Sequence, residues 1–183
     1  MMENLSLLFT KTFEHVFYRF LSGYGFTITE SHSEKNGFSV IYRNGERYVR
    51  FGGTLDPRDF PIYYYLSFGE GSDKFPDSDW NAVALWRFIQ SASPTEFEKH
   101  KNLYAIPVDI TEAQIEEKIR TNLELTVSYI ASFLDNDLTE FRRVRALQNK
   151  DRQPYLISKP DGKGGRTVSH EKRSASLKEK YSK

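Results

Sequence analysis

Phe9, Phe13, Val16, Phe17 and Phe20 recur at the spacing of one helical face, a stripe wide enough to bury against a core. Gly23 and Gly25 end that helix, because glycine enters the left-handed cap conformation at little cost. The pattern then changes to alternation. Phe26 and Ile28 alternate with Thr27 and Thr29, which predicts a strand.

Residues 37–53, GFSVIYRNGERYVRFGG, read as two strands around a turn. Asn44-Gly45 predicts a type I′ turn centred on that pair, with positive φ at both residues. Arg43 then opposes Glu46, Tyr42 opposes Arg47, Ile41 opposes Tyr48, Val40 opposes Val49, Ser39 opposes Arg50 and Phe38 opposes Phe51. Side chains alternate across a sheet, so Phe38, Val40, Val49 and Phe51 share the core face, with Tyr42 and Arg47 at its end. Burying each of these four apolar side chains contributes about 1.5–3 kcal/mol. Ser39, Ile41, Arg43, Glu46, Tyr48 and Arg50 share the second face, which is amphipathic.

Residues 61–68, PIYYYLSF, predict a fourth strand after the turn-rich GGTLDPRD loop, with Tyr63 and Tyr65 alternating against Ile62, Tyr64, Leu66 and Phe68. After Gly71 the helical period returns. Ser78 or Asp79 is placed to cap a helix carrying Ala82, Leu85, Trp86 and Ile89 on one face. Ser93-Pro94-Thr95-Glu96 is a capping box with proline at the first helical position, opening a short helix that ends near Leu103. Asp109 or Thr111 opens the longest helix, with the stripe Ile115, Ile119, Leu123, Val127, Ile130 and Leu134. Asp137-Leu138-Thr139-Glu140 opens another, with Phe141, Val144 and Leu147 on one side and Arg142, Arg143 and Arg145 also present.

The predicted fold class is α+β: an N-terminal helix, a four-stranded antiparallel meander, then C-terminal helices. Residues 1–150 form a single domain, and residues 151–183 a basic, flexible tail. Within that tail only Tyr155, Leu156 and Ile157 cluster as apolars, and its last residues form at most a polar helix with no face to bury.

Composition sharpens this picture at three points. Aromatic residues make up 15% of the 183, so rings dominate the core. Cysteine is absent, which removes disulfides, thiolate nucleophiles and cysteine metal sites and fits a reducing compartment. The net charge of +1 is unevenly spread: residues 150–183 hold ten Lys/Arg and four Asp/Glu, a balance of +6, and the other 149 balance to −5. The first residues carry Glu3 and Glu14 and no basic leader, so they read as a helix rather than a signal peptide. No apolar run reaches the length of a membrane span, and the expected location is the cytoplasm.

Candidate chemistry is sparse. His15, His32, His100 and His170 sit in no metal-ligand spacing and read as exposed or capping residues. Asp56 and Asp59, and then Asp73, Asp77 and Asp79, cluster in loops, but the glycine and glutamate of a calcium loop are missing, so turn formation and capping explain them. GKGGR, residues 162–166, lacks both the frame and the strand–helix setting of a phosphate loop. No hydrolase elbow, dinucleotide fingerprint or kinase motif occurs. No catalytic residue, metal ligand or cofactor site is assigned.

The element order, the hairpin at 37–53 and the later Trp80…Leu85-Trp86-Arg87-Phe88-Ile89 segment resemble those of small uncharacterised bacterial α+β proteins, some of them similar to immunity proteins that neutralise toxins. The resemblance spans residues 5–92. It implies a binding protein without a cofactor, and it assigns no catalytic residue.

The expected function is therefore a non-enzymatic protein-binding module of immunity or regulatory type. It would bind another protein through Ile41, Arg43, Tyr48, Arg50, Tyr63 and Tyr65, or through the acidic loops around Asp56 and Asp73. Tyrosine and arginine offer rigid contact area with a polar handle, which suits an open sheet face. If a C-terminal helix covers that face, the tyrosines are core residues instead. The alternative is a nucleic-acid-associated accessory protein using Arg142, Arg143, Arg145 and the tail, and a third reading is an enzyme with its acids in the 56–79 loops.

Overall fold

The computed structural model describes residues 2–56, 58 and 62–183, with side chains from residue 5 onward. Asp59, one of the acidic-loop candidates, and Pro61, the predicted start of the fourth strand, lie outside the described residues.

Helix α1 (Met2–Gly23) leads into an antiparallel meander of β1 (Thr27–Glu34), β2 (Gly37–Asn44), β3 (Arg47–Thr54) and β4 (Ile62–Glu70). Then follow α2 (Asp77–Asn81), β5 (Ala82–Ala84), α3 (Leu85–Ala92), α4 (Pro94–His100), β6 (Ala105–Ile106), α5 (Glu112–Leu134) and α6 (Thr139–Lys150). A hairpin of β7 (Leu156–Pro160) and β8 (Arg166–His170) precedes the last helix, α7 (Lys172–Tyr181). The architecture is α+β. The main sheet runs β1-β2-β3-β4-β5, with β6 pairing on β4.

The core face of the sheet is the predicted one. Phe38, Val40, Val49 and Phe51 are all buried, joined by Tyr42, Tyr64, Leu66 and Phe68. Helix α1 lays Phe9, Phe13, Phe17 and Leu21 on it. The contact is ring on ring: Phe13 stacks on Phe51 at 4.1 Å between centroids, and Phe9 on Phe38 at 4.9 Å. Helix α5 packs beside α1. Its N-cap is Thr111, with the reciprocal bond from Gln114.

The hairpin turn sits one residue later than predicted. Asn44 pairs with Arg47, so Gly45 and Glu46 form the loop. Gly45 has φ +57° and Glu46 is not in the positive region, the signature of a type II′ rather than a type I′ turn. Every β3 partner is thereby displaced by two residues, Val40 opposing Phe51 instead of Val49. Two is the side-chain period, so the division into faces is unchanged. The shift has a tertiary cause: in the ladder, Asn44 Nδ2 donates to Tyr24 O at 2.8 Å and closes the chain between α1 and β1.

Four further expectations are corrected. The single helix foreseen around Ala82–Ile89 is broken, because Ala82-Val83-Ala84 pairs with Ser67-Phe68-Gly69 and satisfies the free edge of β4. Neither Ser78 nor Asp79 caps α2. On α5, Val127 is exposed and Leu125 and Thr126 are buried, since four-residue steps drift about 40° each around a helix of 3.6 residues per turn. On α6, Leu147 faces water and Asn149 is buried in its place. Asn149 Nδ2 donates to Trp80 O at 2.7 Å and to Tyr181 O at 3.1 Å.

The segment expected as a flexible tail without a face to bury forms the β7–β8 hairpin and α7. α7 packs on α2 and α6 and buries Ser174 and Tyr181. Arg145 lies 4.6 Å from the Tyr181 ring centroid, and Arg173 pairs with Asp77 at 2.6 Å. Among the described residues no helix is long and apolar enough to cross a membrane.

Candidate functional site

The second face of the sheet collects the six predicted binding residues, and the fold divides them. At the hairpin end the face is closed. Ile41 and Tyr48 are 1% and 0% exposed. Tyr48 lies across its β4 partner Gly69, where a Cβ would come within 2.1 Å of the ring. Its hydroxyl bonds Oδ1 of Asn81 at 2.6 Å, and Asn81 Nδ2 donates to Ser72 O at 2.7 Å. Burial pushes the Tyr48 hydroxyl well above the ordinary phenol range, so it stays a neutral donor. Arg43 is committed too: it pairs with Asp73 at 3.0 Å, donates to Gly71 O and sits 5.3 Å from the Tyr48 ring centroid. The Gly71–Asn81 segment supplies the contacts to Tyr48 and Arg43, and behind it lies Tyr181 of the C-terminal helix, so the covered-face alternative holds for this half of the face.

Toward the other end the face is open. Tyr63 and Tyr65, two residues apart on β4 and so on one side, are 52% and 40% exposed. Tyr65 reaches over Gly52, its β3 partner, which leaves room for the ring. Beside them is a cleft of about 570 Å³. Its floor is Tyr48, Arg50, Tyr65 and Ser67 of the sheet. One wall comes from Ala82 and Ala84 of β5 with Trp86 and Arg87 of α3, and the other from Phe75, Asp79 and Arg152.

Sequence reasoning did not bring Trp86, Arg87, Phe75 and Arg152 to this surface. The short β5 strand is what carries Trp86 and Arg87 around the edge of β4. No sequence signal marked this, because Ala82 fits the helical stripe with Leu85, Trp86 and Ile89.

The charges of the cleft are unevenly matched. Asp79 is spent on Arg152, at 2.6 Å, and on the Tyr155 hydroxyl. Arg152 also donates to the Asp79 carbonyl and lies over Trp80. Arg87 stacks on Trp86, 4.1 Å from the ring centroid, and makes a long bond to Gln90 at 3.4 Å. Burial, and then the charge of Arg152, hold Arg87 below its ordinary value. Arg50 has its Nε buried with no hydrogen-bond partner, and no carboxylate among the described residues pairs with it.

The other candidates fare differently. Asp56 is held down to about 2 by the hydrogen bonds it accepts from Arg58. Arg142 and Arg145 both pair with Glu70, and Arg143 pairs with Glu140 at 2.6 Å. The histidines lie apart: His32 near Glu30, His100 on Glu96, His170 against Pro154 O, His15 on α1. Comparison of the chain with protein-family models, with curated proteins and with solved structures finds no match to any of them.

Proposed function

We propose that this chain is a non-catalytic module that captures another protein through the open half of its second sheet face. The observation that carries this reading is the exposed pair Tyr63 and Tyr65 beside the arginine-lined cleft. Tyrosine, tryptophan and arginine dominate binding hot spots because each brings a large, stiff contact area and a polar end. The partner is acidic where it touches, since Arg50 and Arg87 have no carboxylate of their own among the described residues. The lack of cysteine suits a cytoplasmic setting.

The test is affinity capture with the intact chain, compared with Tyr63→Ala and Tyr65→Ala. Both positions are exposed, so neither change should alter the melting temperature. A protein retained by the parent and lost from both variants supports the reading. Equal recovery on all three baits overturns it.

A second reading attaches to the β7–β8 hairpin, whose strands expose Lys159 and Arg166, with Lys163 in the turn between them. It is a nucleic-acid-associated accessory role carried by this ribbon. It predicts affinity for duplex DNA or RNA that falls steeply with salt and disappears when residues 157–169 are replaced by a short turn.

A further inference from the structure

We infer that the cleft over β3 and β4 is a binding site for a phosphate monoester carried next to a flat ring. This rests on the reading of the open sheet face as the surface a partner occupies, and names the group the partner inserts. Three guanidinium groups, Arg50, Arg87 and Arg152, face this cleft against one carboxylate, Asp79, which leaves two positive charges. A single carboxylate from a ligand answers only one of them. A phosphate monoester carries about −1.5 to −2 at pH 7 and answers both.

The donors suit the same group. A guanidinium offers parallel N–H donors that match phosphate oxygens two at a time. Arg152 is held by Asp79 and Trp80, and Arg87 is steadied by the Trp86 ring, so both are positioned before a ligand arrives. Arg50 lines the cleft floor, and no carboxylate among the described residues pairs with it. Arg87 and Arg152 both line the cleft, so an anion bound there faces both cations.

The walls select what carries the phosphate. Tyr65 and Trp86 bring ring surface to the cleft. Ring surfaces favour a flat aromatic group stacked or edge-on beside them. The volume, about 570 Å³, admits one aromatic group with its phosphate. Phosphotyrosine of a partner and a free nucleoside monophosphate share this chemistry, and the experiment separates them.

Calorimetric titration of the intact chain with free phosphotyrosine, AMP, tyrosine and inorganic phosphate is the test, repeated with Arg50→Met and Arg87→Gln. Phosphotyrosine or AMP should bind saturably, tyrosine should not, and each variant should weaken binding roughly tenfold or more. The tighter of the two names the source. Unliganded melting temperatures of the variants show that the fold is retained. Tyr63→Ala, outside the cleft, should keep phosphate binding while losing partner capture, so the two readings fail separately. No saturable binding of either phosphate ester, or affinities unchanged in both arginine variants, overturns the inference.

Discussion

The hydroxyl of Tyr48 and Oδ1 of Asn81 meet at 2.6 Å, linking the middle of the sheet to the end of α2. Both residues are fully buried. This bond marks the boundary on the second sheet face between what is structural and what is free to bind. Tyr48, expected as a contact residue, belongs to the closed half. Asn81→Ala should cost about 1–3 kcal/mol, because it leaves a buried hydroxyl without its acceptor. Tyr48→Phe should fall toward the lower end of the same range, about 1 kcal/mol, because it orphans Asn81 Oδ1 but keeps the Asn81–Ser72 bond. Urea unfolding of the two variants checks the order.

Gly69 is required by the same ring. A methyl group there would lie 2.1 Å from Tyr48 Cζ, far inside van der Waals contact. Gly69→Ala should destabilise the chain by about 1–3 kcal/mol through forced displacement of the ring. Combining it with Tyr48→Ala should make the glycine change nearly neutral, which a double-mutant cycle on melting data would show.

The core face held as read because alternation about the turn depends only on a period of two. A turn displaced by one residue moves partners by two and leaves Phe38, Val40, Val49 and Phe51 together. The turn itself was misplaced because Asn-Gly satisfies a type I′ geometry locally, whereas the bond from Asn44 to Tyr24 O lies outside any local pattern. The covering of Ile41 and Tyr48 was illegible for a related reason: alternation sorts residues into faces but does not say what lies over a face. Asn81 is 33 residues away from Tyr48 in the chain. α7 buries only Ser174 and Tyr181, too thin a stripe for periodicity to register, and its other ties are polar, such as Arg173 to Asp77. Tyr63, Tyr65 and Arg50 remained where the sequence put them.

Arg47 is a buried cation whose neighbouring anion, Asp135, is exposed. It lies on the core face at the hairpin end, and its Nη1 donates to Phe133 O at 2.6 Å and Leu134 O at 2.7 Å. These carbonyls lie in the last turn of α5, at the negative end of the helix dipole, and Phe133 O also accepts from Asn136 N at 3.2 Å. Arg47→Met should cost about 2–3 kcal/mol, since both carbonyls lose a charged donor. Hydrogen exchange should show the last turn of α5 opening more readily than the rest of the helix.

Glu70 gives the fold an acid-side dependence. Hydrogen bonds from Arg142, and then Arg145, hold its carboxyl below the ordinary value of 4.5. A carboxyl depressed in the folded state contributes stability that is present above its unfolded value and is lost as pH falls through the folded one. Melting temperature should therefore decline as pH drops below about 4.5. Glu70→Gln should be less stable at neutral pH and decline less steeply on the acid side.

The most direct measurement of the central claim is a tyrosine nitration footprint, read by mass spectrometry on the free chain and on the chain with its captured partner. Tyr63 and Tyr65 should be modified in the free protein and protected in the complex, with Tyr48 unmodified in both. Modification of Tyr48 in the native free chain, or Tyr63 and Tyr65 labelled equally with and without the partner, would contradict the account.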